Sequence, residues 1–280
     1  VTDPTSKQSG VVSLELITPR PPKRSRQHVG VTTGLRVLSI LGVFVLWWAI
    51  ARHVADPEKL PGPSDVYGNF GYLIEHQNLW GNLGTSLERA LKGLVIGGII
   101  GFFLGVLSGL FAIGEHLIDS PMQLLRFTPF LALIPLFITW FGLGEQPKIV
   151  LLSLACATPL YLNTANAMRH VDRKTLEAAR SFGLRRFRLL REVTLPLSLP
   201  GILTGLRFSM AIAVLALVAA EQINANSGIG AMLINASGNL DTKTVFCCIV
   251  VYMLIGVFFD LIIAGITALA LRWRAGVAVR

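Results

Sequence analysis

The sequence predicts an all-α integral membrane protein of about six transmembrane helices, and three observations lead there. Of 280 residues, 52% are hydrophobic and 15% charged, with a mean hydropathy of +0.61, whereas a soluble domain carries about 25% charge. Six stretches are apolar over the roughly 20 residues that a helix needs to cross about 30 Å of hydrocarbon. A helix satisfies its own backbone hydrogen bonds, which lipid cannot do for it. Lys and Arg, finally, fall mostly on one side of the topology those stretches imply.

Residues 1–34 are polar, basic and broken by Pro4, Pro19, Pro21 and Pro22. They lack the apolar core and cleavage site of a secretory signal and read as a flexible cytoplasmic tail. Residues 35–280 form the transmembrane domain. Its first span lies near Leu35–Val54. The outer segment from Asp56 to Arg89 opens with Pro57, Pro61 and Pro63, then carries Val66, Tyr67, Phe70, Leu73, Ile74, Leu79 and Trp80 at helical intervals. An interfacial helix used for packing and anchoring is expected there. The second span, Leu91–Ile113, places Gly93, Gly97, Gly101, Gly105 and Gly109 four apart. Such a bare face admits another helix at close range, from the same chain or a second copy. Pro129 and Pro135 in the third span, Phe127–Leu143, and Pro159 in the fourth, Ile149–Met168, predict kinks, lining a cavity or absorbed by neighbours. These two spans are short, so five or seven are the alternatives to six. The fifth is Gly201–Ala220 and the sixth Val245–Leu271.

With both termini in the cytoplasm, Arg52, Lys59, Arg89, Lys92, Lys148 and Lys243 fall outside and the other Lys and Arg inside. The net charge of +9 is then a matter of topology and anionic lipid, and no nucleic-acid partner is expected. The five His show no metal-ligand spacing, so no metal is predicted. Cys156, Cys247 and Cys248 lie in apolar runs and read as small hydrophobes. Arg207, Glu221 and Asp260 are the ionisable residues within spans and must face protein or water. Asp260 sits deepest, as a structural hydrogen-bond partner or a pathway residue.

The loop at about 169–200 reads as two short helices. Asp172 can cap the first, Gly183 can end it in the left-handed conformation, and Pro196 stops the second. Leu176, Ala179, Phe182, Phe187 and Leu190 give apolar faces too small for a core but adequate for docking on another protein. Ala178 and Ala179 keep the first helix slim.

This segment resembles the EAA loop of binding-protein-dependent ABC importer permeases: Glu-Ala-Ala, three residues, Gly, nine residues, Ile, one residue, Leu-Pro. Glu177, Ala178, Ala179, Gly183, Leu195 and Pro196 match at that spacing, with Val193 in place of Ile. The resemblance implies a type I ABC importer permease fold in the bacterial cytoplasmic membrane. It makes the loop, Phe182 included, a coupling element seated in a cleft of a separate ATPase. An extracytoplasmic solute-binding protein is the other implied partner. One docking loop and six spans are half of a two-fold transporter, so a homodimer with two ATPase subunits is expected. The chain lacks GxxxxGK[ST], so it is no enzyme and needs no cofactor; ATP and Mg belong to the ATPase.

A narrower likeness rests on Arg126–Leu136, Trp140–Glu145, Ala219-Ala220-Glu221 and Ser227–Gly230. These are similar to the permeases for nitrate, taurine and aliphatic sulfonates. Thr128-Pro129-Phe130 departs from the adjacent prolines more usual there. A small organic anion is implied, an aliphatic sulfonate first, with taurine, nitrate or a pyrimidine precursor as alternatives. Pro129, Pro135, Glu221 and Asp260 are the pathway or gate candidates. A self-contained secondary transporter or channel would need an ion relay or selectivity ring, for which only Asp260 offers a start. A membrane-embedded enzyme would need a His pair, a Ser/His set or a carboxylate pair at one depth, and the sequence offers none.

Overall fold

The computed structural model describes residues 27–54, 59–223 and 226–273. The tail up to residue 26, and with it most of the expected basic segment, lies outside them. The chain divides into two units, residues 1–50 and 51–280, and each is described by itself. Most of α1 (Gln27–Val54) belongs to the first, and this single helix begins ahead of the Leu35 boundary expected from the apolar run.

The second unit opens with α2 (Pro63–His76), started by a proline in its first turn, where the missing N–H costs nothing. The amphipathic reading of this segment translates into packing: Val66 and Leu73 are buried while Tyr67 is exposed. Asn69 donates to the Thr244 hydroxyl at 3.0 Å, tying α2 to α11 (Thr242–Ala270).

Next comes α3 (Leu79–Leu110), whose cap Asn78 holds a left-handed φ of 47° and accepts from the Gly81 amide. It starts well before the expected Leu91, so Arg89 is a helix residue and not a loop charge. α6 (Glu145–Arg169) runs parallel to it. The five glycines of α3 lie along this contact. A Cβ on Gly97 would overlap the Ser153 carbonyl, one on Gly101 that of Ala157, and one on Gly93 the Leu152 side chain. Gly105 and Gly109 meet Thr164 and Met168 in the same way. α9 (Leu195–Glu221) returns antiparallel against α6, with Gly205 on Asn163 and Gly201 on Ala167. The short α10 (Ile229–Gly238) leads into α11.

The expected third span, Phe127–Leu143, is only the second arm of a longer, broken segment. α4 (Ala112–Phe127), a 3-10 turn (Phe130–Leu133) and α5 (Ile134–Phe141) meet at a 95° bend. The cause is local: Thr128 is extended, with φ −75° and ψ 124°, as the Cδ of the following Pro129 requires. Among the described residues four helices are long and apolar enough to cross a membrane, and a fifth span is made if the bent pair counts as one.

Candidate functional site

The segment between α6 and α9 is built from local signals. Asp172 caps α7 (Arg173–Ser181), accepting from the Lys174 and Thr175 amides at 3.3 Å and the Thr175 hydroxyl at 2.9 Å. Those bonds, the Thr175 hydroxyl first, hold the Asp172 carboxyl below its usual range. The cap is therefore intact at neutral pH and is lost only as pH falls through that lowered value. At the other end Gly183 takes φ +85°. The Leu184 amide donates to Ala179 O at 3.1 Å and the Gly183 amide to Arg180 O at 2.9 Å, which is the Schellman arrangement. Between these stops Glu177 and Ala178 are exposed and Ala179 is buried. Phe182 is 88% and Phe187 70% exposed, an apolar pair of which Phe182 lies ahead of the long spans and Phe187 at the very start of one.

Pro196 does not stop a helix here. α8 (Arg186–Leu189) passes through a π turn (Leu190–Thr194) directly into α9, with Pro196 in its first turn. The Leu195 amide reaches back five residues to Leu190 O, so the hydrogen-bond register has already shifted where Pro196 enters. The loop is thus continuous with a span, and Leu195 and Pro196 sit at the junction.

Its other end is anchored ionically. Arg169, the last residue of α6, donates to Asp119 of α4 at 2.7 and 2.9 Å and to the Ser108 hydroxyl of α3 at 2.5 Å. Tyr161 donates to the same Asp119 carboxylate, and Glu115 lies 3.6 Å from the guanidinium. Three helices therefore converge on the residue from which the loop departs.

At the opposite end of the bundle Glu221 is fully enclosed. It accepts from Ser86 Oγ at 2.7 and 2.9 Å, Arg89 Nη1 at 2.8 Å, the Gly230 amide at 3.0 Å and the Tyr252 hydroxyl at 2.9 Å. Arg89 also grips Glu145 through Nε at 2.6 Å and Nη2 at 2.7 Å, and Lys148 reaches Glu145 at 2.9 Å. Five helices, α3, α6, α9, α10 and α11, are joined in one charged network. Sequence reading placed Arg89 and Lys148 among loop charges and so missed it. The available signal was the pairing of Glu221 with Ser227–Gly230, whose Ile229 and Gly230 amides and Ser227 carbonyl close the network.

Asp260 is paired as well, with Arg207 of α9, through Nε–Oδ1 at 2.6 Å and Nη2–Oδ2 at 2.8 Å. Pro129 and Pro135 are exposed at the bend, Pro135 in the first turn of α5. The structure thus leaves the four pathway or gate candidates apart: Glu221 in the enclosed network, Asp260 half-exposed on α11, and the prolines on the broken segment.

The family described as binding-protein-dependent transport system inner membrane component matches residues 97–268. The chain is 42% identical over 229 residues to the aliphatic sulfonates transport permease protein SsuC of Escherichia coli K12, covering 81% of this chain and 87% of that one. It is 35% identical to SsuC of Bacillus subtilis 168, with 90% and 91% covered. Against the taurine transport system permease protein TauC of E. coli K12 it is 34% identical, with 86% and 88% covered. Among solved structures, an amino acid ABC transporter crystallised with histidines aligns with a TM-score of 0.57 at 17% identity, covering 70% of this chain and 95% of that one. The inward-facing MetNI methionine ABC transporter aligns at 0.51 and 22% identity, covering 67% and 93%.

Proposed function

The chain belongs to the binding-protein-dependent transport system inner membrane components, and from that premise we propose that it carries an aliphatic sulfonate across the cytoplasmic membrane as half of a homodimer. Two copies of a separate ATPase, which binds the ATP and Mg, dock on the segment from Glu177 to Pro196. An extracytoplasmic binding protein delivers the substrate. Both termini lie in the cytoplasm, on the side of this segment.

The observation that supports this reading best is α7. A short helix stopped at both ends carries exposed Glu177, Ala178 and Phe182 outside the spans and is continuous through Leu195 and Pro196 with α9. Movement imposed on α7 reaches α9 through the π turn and α6 through Arg169. Pro129, Pro135 and Asp260 belong to the path, and Glu221 to a gate that holds the far ends of α3, α9 and α10 together. The sulfonate assignment follows the SsuC relatives, and taurine, itself a sulfonate, is favoured second by TauC.

Uptake of labelled ethanesulfonate into proteoliposomes holding permease, ATPase and binding protein tests the reading. ATP-dependent uptake, inhibited more by unlabelled alkanesulfonate than by taurine or nitrate, is expected. Uptake by the permease alone, without the ATPase, would make it a self-contained transporter and overturn the proposal.

A further inference from the structure

Arg207 and Asp260 form an ion pair unlike the other one that α9 makes. The Arg89–Glu221 pair is enclosed, with side-chain exposures of 4% and 0%. Arg207 and Asp260 are 51% and 48% exposed, although both lie well inside long apolar helices. An ionised pair half-open to lipid is too costly to persist, so this face of α9 and α11 meets water or protein. It opens on a cavity of about 420 Å³ lined also by Thr204, Phe208, Met210, Ala211, Gly256 and Ile263. That volume falls in the range of about 300–1,000 Å³ typical of small-molecule sites.

The chemistry of the pair matches the substrate class. A guanidinium presents a planar fork of donors, and a carboxylate and a sulfonate both offer that fork paired oxygens with a single negative charge. Asp260 takes Nε and Nη2; Nη1 has no partner among the described residues. A second cavity, of about 360 Å³, adjoins at Phe208 and carries another cation, Arg126, with Thr158, Asn163 and Asn166. Phe208 therefore stands between two spaces, each supplied with an arginine.

We propose that Arg207 is an anion station on the transport path, with Asp260 as the counter-ion that the sulfonate headgroup displaces. This rests on the sulfonate reading above and names the residue that receives the headgroup. Competition from a tethered carboxylate keeps affinity low, as a path that must release its cargo requires. Selection is thereby left to the binding protein.

The test uses the permease–ATPase complex in lipid nanodiscs, without binding protein, and equilibrium binding of ethanesulfonate. Asp260→Asn removes the competing charge and preserves shape, and it is expected to tighten binding by about tenfold. Arg207→Met combined with Asp260→Leu removes both charges together, which a purely structural pair tolerates. That variant is expected to assemble, to bind no ethanesulfonate and, in the complete importer, to lose at least about tenfold in uptake. Unchanged binding in Asp260→Asn, or uptake at the unmodified rate in the double variant, would overturn the proposal. If the unmodified importer takes up no sulfonate yet Asp260→Asn still tightens binding, the substrate reading fails and the station stands.

Discussion

Glu221 has no exposure and is held by four donor groups on three other helices, α3, α10 and α11. Removing one member of such a set strands the rest without water. Glu221→Ala is therefore expected to destabilise the purified permease by about 3–5 kcal/mol, read as a large drop in thermal midpoint in detergent. A change below about 1 kcal/mol, the worth of an exposed pair, would mean the network is solvated. Gly183 is a different case. Nothing lies within 4 Å of a Cβ built there, and only its φ of +85° excludes other residues. Gly183→Val stores strain of about 1–3 kcal/mol in the loop and leaves the bundle untouched. The two residues also mark what the sequence makes legible. Gly183 and Asp172 act within a few positions of themselves, so their roles can be read from spacing. Glu221 and Arg89 are 132 apart, and nothing local to Arg89 distinguishes it from an interfacial charge.

α3 and α6 owe their close approach to backbone meeting backbone. At Gly97 and Gly101 the obstacle to a side chain is a carbonyl of α6, which no rotamer change removes. Gly97→Ala or Gly101→Ala is expected to cost about 1–3 kcal/mol by overpacking, whereas Gly71→Ala in α2, where the space is open, is expected to be neutral or stabilising. Thermal unfolding of the three variants side by side decides it, and equal midpoints would contradict the packing account. Periodicity announces such a stripe but not its partner, since the residues opposite it on α6, from Leu152 to Met168, carry no complementary signature. Proline was the less faithful guide. Pro129 breaks its segment more sharply than a kink, because Thr128 turns extended. Pro196 breaks nothing, because the π turn before it has already changed the helical register.

At the scale of the molecule one chain offers a single exposed segment between α6 and α9 and a half-open polar pair on α9 and α11. In the proposed homodimer a second copy supplies the other docking segment and the far wall of the path. Native mass spectrometry of the transport-competent particle is expected to give two permeases with two ATPases; one of each would contradict the homodimer. The central claim is that the segment from Glu177 to Pro196 transmits ATPase movement to the spans, and it is tested most directly by binding-protein-stimulated ATP hydrolysis in nanodiscs. Glu177→Lys reverses a charge at the proposed docking contact, where an unfavourable pairing costs several-fold or more in affinity, and Gly183→Val is expected to reorient α7. Both variants are expected to reach the membrane at normal levels, with hydrolysis no longer answering to substrate-loaded binding protein and import lost. Normal ATPase binding, normal stimulation and import at the unmodified rate in both would show that this segment is not the coupling element.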